Sequence, residues 1–177
     1  MCEQDKRYLP NSRECFVCGE ENPAGLQSRF YVEDDLVKMP LTVRQEHCGY
    51  PGAVHGGVVA AALDECMGWA AALSIGRMCL TGEMTVRYIN RVPVDDSLTV
   101  EAEVLRSHRR MVHARGRIVN AEGKVFAQSD GRFLPLSVDQ TLAVDDALLH
   151  PEDGLRPFEQ LRDEDRSRVN LETFWEK

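Results

Sequence analysis

His55-Gly56-Gly57 opens a long apolar segment that carries one acidic pair, Asp64-Glu65. The segment is rich in Ala and Leu, has no proline and stops near Gly76, so it reads as a helix from about Gly56 to Ile75. A helix start offers unpaired backbone N–H groups and the positive end of the helix dipole, and both favour a developing negative charge. The Gly57 N–H can therefore act as an oxyanion donor to a polarised carbonyl, since glycines let a ligand come close to the backbone. A plainer reading fits these residues equally well. In it the glycines only permit a sharp turn into the helix and His55 only caps it.

Asp64 sits in a stripe of small residues, Gly57, Ala60, Ala61, Gly68 and Ala71, at three- and four-residue spacing. A carboxylate on such a face is either functional or satisfied by a partner, because burying it alone is costly. It suits a nucleophile or general base; the alternative is a structural hydrogen bond to a nearby loop. At about 1.5 Å of rise per residue, Asp64 stands roughly 13 Å from His55 along the axis, too far for both to touch one carbonyl. They can share a site only if one chain's helix start meets another chain's Asp64, which predicts a dimer with two equivalent sites. Glu65 is expected about 100° away, on a different face, and ranks second as the carboxylate. Thr81 and Glu83 begin the next strand and can reach a site beside the helix.

Cys15-x-x-Cys18-Gly19 is a weak metal signal on its own, because a closed zinc site needs four ligands. His47 and Cys48 would complete a set only by accident of the fold. The expectation is no metal and a turn with two small buried thiols. Arg106, His108, Arg109, Arg110, Arg115 and Arg117 form the one dense basic cluster, suited either to an anionic ligand's phosphates or to a plain solvated sheet surface.

These groups must be positioned by the elements around the helix. Residues 1–25, with Pro10, Asn11, Asn22, Pro23 and Gly25, read as an irregular lead-in. Two extended runs, residues 28–32 and 36–43, flank the acidic turn Glu33-Asp34-Asp35 and resemble a hairpin. After the helix the apolar period changes to two, in Met84-Val86-Tyr88, Leu98-Val100-Ala102-Val104 and Val112-Ala114-Gly116-Ile118, with one more strand from Lys124 to Leu134. One helix followed by four antiparallel strands is an α+β arrangement, with the helix across one face of the sheet. The core domain is read as 26–137. Residues 138–177 form an acidic C-terminal extension, with helical stretches broken at Pro151 and Pro157 and with the acidic run Asp163-Glu164-Asp165, and no chemistry is given to it.

A chain of 177 residues holds one ordinary core. No unbroken apolar run approaches membrane-spanning length, and the charged N-terminus lacks the apolar stretch of a secretory signal, so a cytoplasmic location without membrane association is expected. The six cysteines are then reduced thiols rather than disulfides. A net charge of -8 counts against nucleic-acid partners.

Taken together, Cys15-x-x-Cys18-Gly19-x-x-Asn22-Pro23-x-Gly25-Leu26, Pro51-Gly52-Ala53-Val54-His55-Gly56-Gly57-Val58, Leu63-Asp64-Glu65 and the run from Thr81 to Tyr88 resemble the hotdog-fold thioesterases related to the phenylacetate-pathway and 4-hydroxybenzoyl-CoA enzymes. The resemblance spans residues 15–135. It implies a helix wrapped by an antiparallel sheet, homodimers or dimers of dimers with sites at the subunit interface, and metal-free hydrolysis of acyl-CoA. No cofactor is implied beyond coenzyme A as part of the substrate, whose phosphates Arg106, Arg109 and Arg110 would meet. By position, Gly57 resembles the backbone donor to the thioester carbonyl, His55 the residue that orients that loop, Asp64 the nucleophile or base from the opposite subunit, and Thr81 a hydroxyl that helps hold water. Some members carry an amide side chain just before the His-Gly-Gly, where this sequence has Cys48 and Gly49.

Acyl-CoA hydrolysis is the leading expectation. The alternative is a non-catalytic acyl-CoA binding or sensing protein of the same fold, disfavoured because binding an acyl chain gains nothing from a buried charge. A hydratase would want Asp and His on one substrate carbon, against the His55–Asp64 separation. The acyl group, aryl or short or medium chain, stays open.

Overall fold

The computed structural model describes residues 6–94 and 96–162. Cys2, Asp95 and the acidic run Asp163-Glu164-Asp165 lie outside them. The long helix, α1, spans Gly56–Ile75, the bounds read from its composition. His55 caps its start, and Gly76 ends it in the left-handed region at φ 64°, donating its N–H to Ala72 O.

Three short strands precede the helix: β1 (Arg7–Tyr8), β2 (Tyr31–Glu33) and β3 (Leu36–Leu41). A separate two-stranded ribbon, β4 (Cys48–Tyr50) with β5 (Ala53–Val54), leads into the helix. Four strands follow it: β6 (Cys79–Tyr88), β7 (Leu98–His108), β8 (Met111–Asn120) and β9 (Val125–Pro135). They join the first three in one antiparallel seven-stranded sheet, ordered β1-β2-β3-β7-β8-β9-β6. This sheet wrapped round one helix is the hotdog fold.

α1 lies across β7 and β8 and also touches β3, β6 and β9. Val59, Leu63, Cys66 and Met67 of the helix and Val100, Ala102, Val112, Ala114 and Ile118 of the sheet are buried between them, each large aliphatic contributing about 1.5–3 kcal/mol. The alternation read from β7 and β8 thus faces the core. β6 behaves differently, because it is the sheet edge: Met84 and Val86 are only half-buried and Leu80 and Tyr88 are exposed. By length and composition alone α1, with 20 residues and mean hydropathy 1.5, does match a membrane-spanning helix. The expectation that nothing approaches that length is corrected to this extent, although half of α1 is enclosed by the sheet and its charged pair interrupts the apolar run.

The segments flanking the core are built in. Leu9, Val17, Cys18 and Leu26 of the lead-in are buried. The acidic extension opens with α2 (Val138–Ala147), capped by Ser137 and Gln140, and its Thr141 hydroxyl accepts the Met78 N–H at 3.2 Å. In the last turn of α2, buried Asp145 is paired with Arg162 and lies 3.3 Å from His150 Nε2.

Close approach of helix to sheet requires glycines on the sheet. A Cβ at Gly131 would lie 2.7 Å from the buried Phe133 ring and 3.2 Å from Met67 Cε. Gly131→Ala is expected to destabilise the fold by about 1–3 kcal/mol through overpacking, read as a lowered denaturant midpoint at unchanged slope. An unchanged midpoint would show that this contact relaxes freely.

Candidate active site

Asp64 leaves α1 on the side that the sheet does not seal, and it is half-buried. Thr81 Oγ1 donates to Asp64 Oδ1 at 2.7 Å, across 17 residues of sequence. A bulge aims that hydroxyl: the β6–β9 register shifts between Thr81, opposite Phe133, and Glu83, opposite Arg132, so that Gly82 is the extra residue. The bulge also parts the two side chains considered for the site. Glu83 pairs instead with Arg132 at 2.7 Å on the surface, away from Asp64.

Glu65 turns out to border the same cavity as Asp64, which corrects the expectation of a different face. The helical rotation between neighbours is as expected, but the cavity wraps far enough round α1 to take in both. Glu65 Oε2 lies 2.9 Å from Cys15 Sγ, a separation that needs a proton between them. The Cys15 sulfur accepts the Val17 N–H at 3.3 Å, and Cys18 Sγ accepts the Ser12 N–H at 3.4 Å. The thiol of Cys18 beside it holds Cys15 down to about 5, with Glu65 adding to the effect against burial. Its bond to Cys15, then burial, pushes Cys18 up, while burial first and the neighbouring Cys15 second push Glu65 well above the usual carboxylate range.

The cavity between these groups has a volume of about 470 Å³, within the usual range for small-molecule sites. Phe16, Trp69, Met78, Val144 and Leu148 give it apolar walls, and Asp64, Glu65, Thr81, Cys15 and Cys79 supply its polar points. Sequence reasoning missed two walls. The sequence marks Cys15 and Cys18 only as packed thiols and assigns the acidic extension no chemistry, whereas α2 and Leu148 close one side. The Cys-x-x-Cys-Gly pattern was the available signal for the first; the second left none beyond a helical stretch with apolar residues on one face.

His55 and Gly57 lie away from this cavity, at the N-terminal end of α1. The Gly57 N–H donates to His55 Nδ1 at 2.9 Å, which is the capping geometry. Tyr88 donates its hydroxyl to Gly56 O at 2.9 Å beside it. His55, Gly57 and Tyr88 are exposed. Of the basic cluster, Arg115 pairs with Asp130 and Arg117 with Glu101 across the sheet. Arg106, Arg109 and Arg110 are exposed at the β7–β8 turn, near the C-terminal end of α1, where Arg77 Nη2 donates to Arg109 O at 3.3 Å. Neither His47 nor Cys48 joins the cysteine cluster, since the two His47 ring nitrogens meet Arg44 N and Ala24 O.

Residues 51–127 match the family model described as the thioesterase superfamily. No curated protein matches the sequence. Among solved structures, a thioesterase superfamily protein is 30% identical with a TM-score of 0.64; the match covers 69% of this chain and 60% of that one, so this chain spans under two thirds of its relative's length. The PaaI protein of the E. coli phenylacetic acid degradation operon is 19% identical at a TM-score of 0.58, over 63% of this chain and 81% of that one. A hypothetical thioesterase from Streptococcus pneumoniae, solved with coenzyme A, is 23% identical at a TM-score of 0.54, over 59% and 84%. At such identities the last two likenesses are likenesses of fold.

The contrast between the two half-buried cysteines of the cavity has a measurable consequence. Burial pushes Cys79 up to about 11, while Cys15 is held down. A thiol is nucleophilic as its thiolate, which persists above the group's own pKa. At mildly acidic pH, iodoacetamide should therefore label Cys15 ahead of Cys79 in the reduced protein, as read by peptide mass spectrometry. Labelling of Cys79 first would contradict the assignment.

Proposed function

With residues 51–127 matching the thioesterase superfamily and the chain folded as a hotdog, we propose that the protein is an acyl-CoA thioesterase that hydrolyses an acyl-CoA to the free acid and coenzyme A. The observation that carries this reading is the hydrogen-bonded pair of Asp64 and Thr81 at the wall of an apolar cavity. Thr81 occupies Oδ1 and orients the carboxylate, and the second oxygen is directed by that same bond. Asp64 attacks the thioester carbonyl carbon, expels the coenzyme A thiolate and leaves an acyl anhydride that water hydrolyses to the free acid, or it takes a proton from a water that attacks in its place. Negative charge then collects on the carbonyl oxygen and needs a donor.

That donor is the Gly57 N–H of a second chain. Within one chain the helix rise keeps His55 and Gly57 roughly 10–13 Å from Asp64. The Gly57 N–H donates to the His55 ring, and an incoming carbonyl competes for it while His55 holds the loop in place. A homodimer, alone or paired into a dimer of dimers, is supported by the edge of β6, unpaired among the described residues, where Leu80, Tyr88, Ile89 and the neighbouring Leu134 of β9 are exposed apolar side chains. Arg106, Arg109 and Arg110 are exposed cations available to the phosphates of coenzyme A. The coenzyme A held by the pneumococcal relative supports that substrate class. Free thiols at Cys15, Cys18, Cys48, Cys66 and Cys79 suit a reducing compartment such as the cytoplasm.

The test is thiol release from a panel of aromatic and aliphatic acyl-CoAs. Asp64→Asn should lower kcat by about 10²–10⁴-fold, and Thr81→Val by about 10–100-fold through the lost bond to a charged acceptor. Both variants should stay folded by circular dichroism. Turnover that survives Asp64→Asn would move the role to Glu65, and binding without turnover of any acyl-CoA would identify a sensor.

A further inference from the structure

The group formed by Cys15, Cys18 and Glu65 takes no part in the hydrolysis described above, yet its construction is specific. Gly19 follows the second cysteine in a turn so tight that a Cβ there would stand 2.4 Å from Cys15 O and 2.6 Å from Arg13 O, so only glycine fits. The Gly19 N–H closes the turn on Cys15 O at 3.0 Å. Two further backbone N–H groups, from Val17 and Ser12, point at the two sulfurs. Backbone donors aimed at sulfur stabilise thiolates, the form in which cysteine binds metal. The third member comes from α1, 50 residues along the chain.

One donor atom from each of the three lies within 4.8 Å of the others. A tetrahedral zinc ion, with Zn–S of about 2.3 Å and Zn–O of about 2.0–2.2 Å, spaces its ligand atoms roughly 3.5–3.8 Å apart. The three donors therefore need shifts of about 1 Å or less, the Cys15–Glu65 pair opening as the proton between them leaves. We propose that Cys15, Cys18 and Glu65 form a binding site for one zinc-type divalent ion, with the fourth coordination position open to the cavity that Asp64 and Thr81 border. Two thiolates and one carboxylate select zinc over magnesium or calcium, which prefer all-oxygen sets. Three protein ligands leave room for a water or a ligand oxygen. The site revises the expectation of two packed thiols and no metal. It stands independently of the hydrolysis reading, because the carboxylate there is Asp64, oriented by Thr81.

The experiment uses the full chain, reduced, stripped with chelator and titrated with Zn²⁺ or Co²⁺. One equivalent of zinc per chain should be retained through gel filtration. Cobalt should give a near-ultraviolet thiolate charge-transfer band together with the visible bands of a tetrahedral ion. Cys15→Ser and Cys18→Ser should each abolish the charge-transfer band, Glu65→Gln should weaken binding at least about 10-fold, and Cys48→Ser should leave it intact. Since Cys18 is buried and its variant can misfold, wild-type protein supplies a second readout: Zn²⁺ should slow iodoacetamide labelling of Cys15 but not of Cys48. Failure of reduced wild type to retain either metal, or a thiolate band that persists in folded Cys15→Ser, would overturn the site. Neither result bears on Asp64→Asn turnover, so the two readings fail separately.

Discussion

A helix can be sealed under a sheet along only one stripe, and here the division of α1 between sealed and open sides governs everything else. Val59, Leu63, Cys66 and Met67 face the strands and are fully buried. Asp64 and Glu65, interleaved with them, must leave on the other side, because a carboxylate under the sheet would have no water and no cation. Their exit is therefore set by the same periodicity that buries the core. The rise of the helix then fixes how far they stand from its start, roughly 13 Å for the nine residues from His55. An acid group and an oxyanion donor on one rigid helix cannot converge at that distance. The proposed second chain, brought to the open side, would solve this without bending either helix.

The walls of the cavity come from parts of the chain remote in sequence. Cys15 and Phe16 enter from the lead-in, Trp69 from α1, Thr81 from the edge strand, Val144 and Leu148 from the C-terminal extension. Each is tied down locally. The tight Gly19 turn holds the cysteines, the bulge at Gly82 aims Thr81, and α2 is held by the Met78–Thr141 bond on one side and by buried Asp145 on the other. Asp145 is buried and meets both His150 and the exposed Arg162, so the α2 wall is anchored at its C-terminal end as well as at Thr141.

What was legible in the sequence was whatever depends on neighbours along the chain. The limits of α1 followed from its cap, its terminal glycine and its composition. The inward faces of β7 and β8 followed from their alternation. The edge position of β6 was not legible, because alternation reports a strand and not which strands lie beside it. The chemistry divides in the same way. Asp64 could be singled out as a lone charge among small residues, while its bond to Thr81 depends on a bulge that local propensity does not announce. Glu65 stands about 100° from Asp64 round the helix, as its position dictates, yet the cavity is wide enough to take in both. Its contact with Cys15 joins residues 50 apart, and no periodicity carries that.

The most direct test of a site divided between chains is subunit complementation. Differently tagged Asp64→Asn and Gly57→Pro chains, the latter lacking the N–H at a helix position that tolerates proline, are co-expressed and the mixed dimer isolated. Each parent homodimer should be inactive toward acyl-CoA. The mixed dimer contains one site with both defects and one with neither, and should regain about half of the wild-type rate per dimer. A mixed dimer no more active than its parents would place Asp64 and Gly57 in the same site of one chain and contradict the shared-site geometry.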